Sequence, residues 1–217
     1  MNPLNFFDTH NTFITILGYQ LSYIEFTGTC FGLLCVWLAA KENIWNWPAG
    51  LINIICFFII FYQVRLYSDM FLQIYFFGIS IYGWVKWAKQ HTSEKPVTML
   101  SNKNRLLVIL IIIVSEIIMG FTIKNIHHIL PRLFPVPAAF PFIDSFISVC
   151  SIVANILLAK RIIENWALWV LVDFICVFVY AAKHVLFISL EYGILFIIAA
   201  YGLYGWIKSY QKQISIS

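Results

Sequence analysis

Apolar residues run along this chain in seven blocks of about 15 to 20, the scale of a membrane span, broken by short charged or Pro/Gly-containing stretches. The blocks are 26–40, 47–64, 70–85, 106–123, 145–159, 165–182 and 192–207. None shows the strict polar–apolar alternation over ~10 residues that marks a barrel strand. Continuous apolar blocks of this length predict helices, because a backbone in lipid must satisfy its own hydrogen bonds within the segment. Residues 3–21 mix Phe, Ile and Leu with polar side chains, a pattern that predicts an interfacial amphipathic helix rather than an eighth span.

Composition turns these helices into spans. The chain has 217 residues, 61% hydrophobic and 11% charged, against roughly 25% charged in an average soluble domain. Too little charge is present to cover a water-facing surface, so the fold class expected is an all-α integral membrane protein with seven transmembrane helices. The net charge is +4, and the basic residues lie singly at block ends with no stripe for nucleic acid. Lys41, Lys86, Lys89, Lys95, Lys103, Arg105, Lys160, Arg161, Lys208 and Lys212 fall on one side of a seven-span topology; Arg65, Lys124, Arg132 and Lys183 fall on the other. The excess of basic residues marks the cytoplasmic side, so the N-terminus is expected outside and the C-terminus inside. No removed leader is expected. The five cysteines lie within apolar blocks without a CxxC pair and read as packing residues.

The chain also repeats itself. Ala40-Lys41 and Asn46-Trp47 recur 119 residues on as Ala159-Lys160 and Asn165-Trp166; Tyr62-x-x-Arg65 is echoed by Tyr180-x-x-Lys183, and Tyr82-Gly83-Trp84-x-Lys86 by Tyr204-Gly205-Trp206-x-Lys208. The organisation predicted is therefore 3+1+3: an N-terminal segment 1–24, a three-helix repeat 25–90, a cytoplasmic loop, linker helix and external loop 91–140, a second three-helix repeat 141–209, and a tail 210–217. One linker span makes the repeats parallel, and parallel repeats are a transporter arrangement with the substrate site between the halves near mid-membrane.

Polar residues inside the blocks are the candidates for that site. A carboxylate at mid-membrane costs at least ~2.5 kcal/mol, and Asp173 lies in the middle of the sixth block. At ~100° per residue, Trp166, Trp169, Asp173 and Tyr180 share a stripe about 60° wide. Stacked rings beside an acid suit a flat cationic ligand; anchoring of a helix end at the interface is the alternative reading of Trp166. Asp144, Ser148, Ser151 and Asn155 form a second stripe, in which the serines suit helix packing and Asn155 suits either packing or the site. Asn53 stands alone among apolar neighbours, Gln73 and Ser80 align with Trp84, and Glu116 is a further acid in the fourth block. Gly28-x-x-x-Gly32 fits a close helix approach. No phosphate-binding GxxxxGK[ST] loop, HExxH pair or nucleophile–base pair occurs, so neither an enzyme nor a cofactor is expected.

Trp45-Asn46-Trp47-Pro48-x-Gly50-Leu51-Ile52-Asn53, Arg65-Leu66-Tyr67-x-Asp69-x-x-x-Gln73, Tyr82-Gly83-Trp84 and Trp166-x-x-Trp169 together resemble the PnuC-type vitamin transporters over residues 25–209. The resemblance implies a fold similar to the full-length SWEET sugar carriers and a homotrimer in a bacterial inner membrane. It also implies facilitated diffusion of nicotinamide riboside by alternating access, with trapping by a cytoplasmic kinase. Carried over by position, Trp166 and Trp169 would stack the heteroaromatic ring and Gln73 would hydrogen-bond the substrate; Asn53 and Asn155 come from polarity alone. Where the nicotinamide riboside carriers have an Asn four residues after the second Trp, this chain has Asp173, which suits either cationic vitamin, nicotinamide riboside or thiamine. A proton-coupled symporter, in which Asp173 or Glu116 titrates, and a membrane-embedded enzyme are the remaining alternatives.

Overall fold

The computed structural model describes residues 6–64, 67–89, 97–132, 137 and 140–216. Arg65 and Leu66 of the motif above, and Lys95 of the loop between the third and fourth blocks, lie outside them. A hairpin of β1 (Thr12–Ile16) and β2 (Tyr19–Ser22) is followed by seven helices: α1 (Tyr23–Ala40), α2 (Asn46–Gln63), α3 (Tyr67–Ala88), α4 (Asn102–Ile129), α5 (Pro141–Ala159), α6 (Glu164–Ala182) and α7 (Leu186–Ile216). Six are long and apolar enough to cross a membrane; α3, with 22 residues, has the length but a more polar sequence.

The N-terminal segment corrects the helix expected there. Leu17 and Gly18, with φ of 50° and 80°, form a two-residue loop with both central residues left-handed, the backbone that joins antiparallel strands without splaying them. Thr12, Ile14, Thr15 and Ile16 favour strand over helix. The hairpin sits on one end of the bundle. Tyr19 stacks on Phe187 at the start of α7, its hydroxyl donates to Glu25 (2.9 Å), and the Thr9 backbone N–H donates to Gln63 at the end of α2 (3.1 Å). A capping box starts α1: the Glu25 N–H donates to the Ser22 hydroxyl oxygen and the Ser22 N–H to the Glu25 carboxylate.

The repeated corners have structural counterparts, in a simpler register than the sequence echoes suggest. Helices α1, α2 and α3 start 118, 118 and 119 residues before α5, α6 and α7, and the equivalent turns and ring contacts lie 119 residues apart. α1 and α5 end in the same way: Glu42 (φ 55°) and Arg161 (φ 58°) turn left-handed, the Asn43 N–H donates to the Leu38 carbonyl, and the Ile162 N–H donates to the Leu157 carbonyl. Asn46 and Asn165 then each hydrogen-bond the carbonyl three residues back, Asn43 and Ile162, at 2.6 Å. At this offset the partner of Gly83 is Gly202, not Gly205, and Trp87 pairs with Trp206. The Tyr-Gly-Trp echo is thus one turn out of register, and Tyr62 corresponds to Ala181 rather than Tyr180.

Equivalent residues of the two halves meet in two pairs. The Trp87 and Trp206 rings lie 6.3 Å apart, and Arg161 forms an ion pair with Glu42 at 3.5 Å. Trp47 meets Trp87 edge-on (5.5 Å), as Trp166 meets Trp206 (5.7 Å), so four indoles bridge the halves. Glycine makes room for the outer two: a Cβ on Gly83 would lie 2.3 Å from the Trp47 ring and one on Gly202 2.8 Å from the Trp166 ring. The halves join through α1 against α7 and α3 against α5, again copies of each other. α4 packs against α5 and leaves Leu106, Ile109, Leu110, Ile113 and Phe121 exposed, an apolar surface matched to lipid.

Candidate functional site

Next to the indoles, with Trp47 in its wall, six helices line a cavity of about 260 Å³. Its wall holds Gly32 and Val36 of α1, Trp47, Gly50, Asn53 and Ile54 of α2, Gln73, Phe76 and Ser80 of α3, Asn155 of α5, Trp169 and Asp173 of α6, and Glu191, Tyr192 and Leu195 of α7. That volume lies just under the roughly 300–1,000 Å³ of pockets for drug-sized ligands and suits one small molecule. Only α4 contributes no side chain among the described residues.

Copies in the repeat face each other here with different chemistry. Val36 corresponds to Asn155, Gly50 to Trp169, Ile54 to Asp173, Gln73 to Tyr192 and Phe76 to Leu195. One half therefore supplies an indole where the other supplies a bare backbone, and an acid where the other supplies an aliphatic. A flat ligand can lie on Trp169 with the space over Gly50 left for it. The Trp169 indole makes no ring contact with another aromatic among the described residues, unlike Trp166.

Hydrogen bonds fix the polar wall. The Asn53 side-chain N–H donates to the Gly28 carbonyl at 2.8 Å, and Gly32 leaves it room, since a Cβ there would lie 2.7 Å from that nitrogen. Gly28 also meets α2, with the Phe57 ring 3.1 Å from its ideal Cβ, so both glycines serve the close approach expected of them. The Asn155 side-chain N–H donates to the Ser151 carbonyl at 3.1 Å. Each amide keeps its oxygen as an acceptor and its second N–H as a donor. Asp173 is 3% exposed and has no hydrogen bond or ion pair with any described residue. Glu191 faces the Thr29 hydroxyl and has no cationic partner among the described residues. Acceptors and negative charge dominate the wall, which therefore fits a cationic ligand rich in N–H or O–H donors.

Six of the residues singled out from sequence meet in this cavity: Asn53, Gln73, Ser80, Asn155, Trp169 and Asp173. Trp166 and Tyr180 do not line it. Trp166 is 1% exposed, one helical turn below Trp169, where Trp206 and Gly202 enclose its ring as the cavity floor. Tyr180 lies one layer behind the wall, stacked on Tyr192 at 5.4 Å with the ring planes 10° apart. Glu116 sits half-buried on α4, away from the cavity, and Ser148 donates to the Asp144 carbonyl as a packing serine does. Sequence reasoning missed Glu191 and Tyr192 because it began the seventh span after the acid. The Glu191/Leu195 spacing of one turn was the available signal. No group of three metal-ligating side chains occurs among the described residues.

Residues 22–208 match the family model described as nicotinamide mononucleotide transporter. The chain is 38% identical to the nicotinamide riboside transporter PnuC of Escherichia coli (strain K12), over 97% of each chain. It is 24% identical to the riboflavin/roseoflavin transporter RibM of Streptomyces davaonensis, over 88% of this chain and 87% of that one. Its fold is similar to that in the crystal structure of the vitamin B3 transporter PnuC, with a TM-score of 0.68, 24% identity and coverage of 88% and 83%.

Proposed function

We propose, from the premise that this chain belongs to the nicotinamide mononucleotide transporter family, that it is a membrane carrier for nicotinamide riboside. The observation that carries the reading is the cavity between the two halves, in which Trp169 and the buried Asp173 sit one helical turn apart on one wall. The pyridinium ring of the riboside is flat and cationic. Stacked on the Trp169 indole, it gains ring contact and cation–π attraction, and its charge lies beside a carboxylate that has no partner among the described residues. Gln73, Asn53 and Asn155 offer hydrogen bonds to the carboxamide and sugar.

Transport then follows from symmetry. The cavity lies between two three-helix halves, and alternating access is the rocking of one half against the other around a fixed site. In this reading α3 is the seventh crossing, the hairpin end faces outside, and the end bearing Glu42 and Arg161 faces the cytoplasm of a bacterial cell. The four indoles and the Glu42–Arg161 pair close the cytoplasmic side, and release inward requires them to part. No ion or nucleotide site is needed: the riboside moves down its gradient and a cytoplasmic kinase keeps it inside by adding phosphate. Each protomer of a homotrimer holds its own path.

Purified protein in liposomes tests the reading. Uptake of nicotinamide riboside is expected to saturate, to be unaffected by an imposed pH gradient, and to vanish in Asp173→Leu while the variant remains folded. Normal uptake by that variant overturns the site. Thiamine, also a cationic heteroaromatic, satisfies Trp169 and Asp173 equally well; competition by thiamine at the concentrations that support riboside binding would reassign the vitamin. A response to the pH gradient would instead make the carrier proton-coupled.

A further inference from the structure

The cavity holds two carboxylates, and a monocationic ligand neutralises one. Asp173 is placed for the ring: it lies on α6 one turn from Trp169. Glu191 lies elsewhere on the wall, on α7, beside Tyr192. The turn at 183–185 joins α6 to α7 at the hairpin end of the bundle, so depth below it can be read from helix rise. Trp169 lies thirteen residues before Ala182, Asp173 nine before it, and Glu191 five after Leu186. At ~1.5 Å per residue these are depths of about 20, 14 and 8 Å. Gln73, six residues into α3 at the same end, is about 9 Å deep. The wall is thus ordered in depth as indole, first acid, then second acid with an amide.

A riboside has the same order: flat ring, cationic ring nitrogen, then a sugar with vicinal hydroxyls attached to that nitrogen. We infer that Glu191 is the residue that recognises the sugar, accepting hydrogen bonds from the ribose hydroxyls with Gln73 alongside, and that the ligand binds ring-inward and ribose-outward. Two carboxylate oxygens match a vicinal diol, and hydrogen bonds to a charged acceptor are the strong class. Tyr192, stacked on Tyr180, closes the wall next to Glu191 and holds the helix face that presents it. Glu191 is then a specificity residue. It favours a heterocycle that carries a polyol and gives nothing to one that does not. Asp173 acts on any cationic ring.

This inference rests on the substrate reading above, and the test separates the two. Binding of nicotinamide riboside and of 1-methylnicotinamide, which keeps the ring and charge but has no sugar, is measured by calorimetry on the wild-type protein and on Glu191→Leu, Glu191→Gln and Asp173→Asn. Glu191→Leu is expected to bind the riboside roughly tenfold to a hundredfold more weakly and 1-methylnicotinamide as the wild type does. Asp173→Asn is expected to weaken both. With 3′-deoxy nicotinamide riboside, which lacks one hydroxyl, the wild type is expected to lose affinity and Glu191→Leu to lose little more. Equal losses for riboside and 1-methylnicotinamide in both Glu191 variants, or no loss for either, would overturn the Glu191 assignment while leaving the substrate reading intact. A wild-type protein that does not bind the riboside would overturn the substrate reading and Glu191 with it.

Discussion

The two tryptophans of the sixth helix separate by what covers them. Trp169 faces the cavity with no ring contact to another aromatic among the described residues, whereas Trp166 is enclosed by Trp206 and the bare backbone of Gly202. Trp169→Ala is expected to weaken riboside binding by about 1–3 kcal/mol, the usual range for one stacking platform, with little change in melting temperature. Trp166→Ala should do the reverse, lowering stability by roughly 3–5 kcal/mol as a buried large-to-small change. Thermal denaturation and calorimetry on the two variants check the split, and a larger binding loss in Trp166→Ala would put that indole back in the site. Asp173, Asn53, Asn155 and Gln73 were legible in the sequence because a polar group in an apolar helix needs a reason. The distinction between Trp166 and Trp169 was not, because one helical stripe runs both along the cavity and beneath it.

At the scale of elements, the helices end where the backbone turns left-handed rather than where hydropathy drops. Glu42, Arg161 and His184 all have φ between 55° and 59°, and each closes a helix with a 6→1 hydrogen bond. Reading hydropathy alone therefore shortened the last helix, which starts at Leu186, and left Glu191 out of the site. The hairpin was missed for a related reason: Leu17-Gly18 was read through as part of an amphipathic stretch rather than as a turn. Glycine packing makes a direct prediction. Gly83→Ala and Gly202→Ala are expected to lower the melting temperature by displacing the Trp47 and Trp166 rings. Gly78→Ala and Gly193→Ala, whose added Cβ meets nothing within 4 Å, are expected to be neutral or to stabilise by roughly 0.5–1 kcal/mol. Similar melting temperatures for all four would remove the indole bridge as a structural element.

Helices α1–α3 and α5–α7 share their corner turns and their indole–glycine contacts at an offset of 119 residues, with the cavity beside the indoles. That correspondence was legible in part because Ala-Lys and Asn-Trp mark the same helix–helix corner in each half. At the other end of the helices it rests on Gly83 and Gly202, which lie under equivalent rings, a contact that no sequence echo marks. The two halves also differ across the cavity wall, with Gly50 against Trp169 and Ile54 against Asp173. If rocking of one half against the other moves the substrate, fixing the Glu42–Arg161 contact should stop it. Glu42→Cys/Arg161→Cys joined by a short thiol cross-linker, in a background with Cys30, Cys35, Cys56, Cys150 and Cys176 replaced, is expected to lose uptake and to recover it on cleavage of the linker; undiminished uptake would place the moving contact elsewhere.

The central claim is that nicotinamide riboside lies on Trp169 beside Asp173, and tryptophan fluorescence reads that contact directly. Titration of the purified protein with nicotinamide riboside is expected to quench emission saturably, with Trp169→Phe losing most of the quenching and thiamine, which has no sugar, quenching only at higher concentrations. Quenching by thiamine alone, or identical riboside curves from wild type and Trp169→Phe, would contradict it.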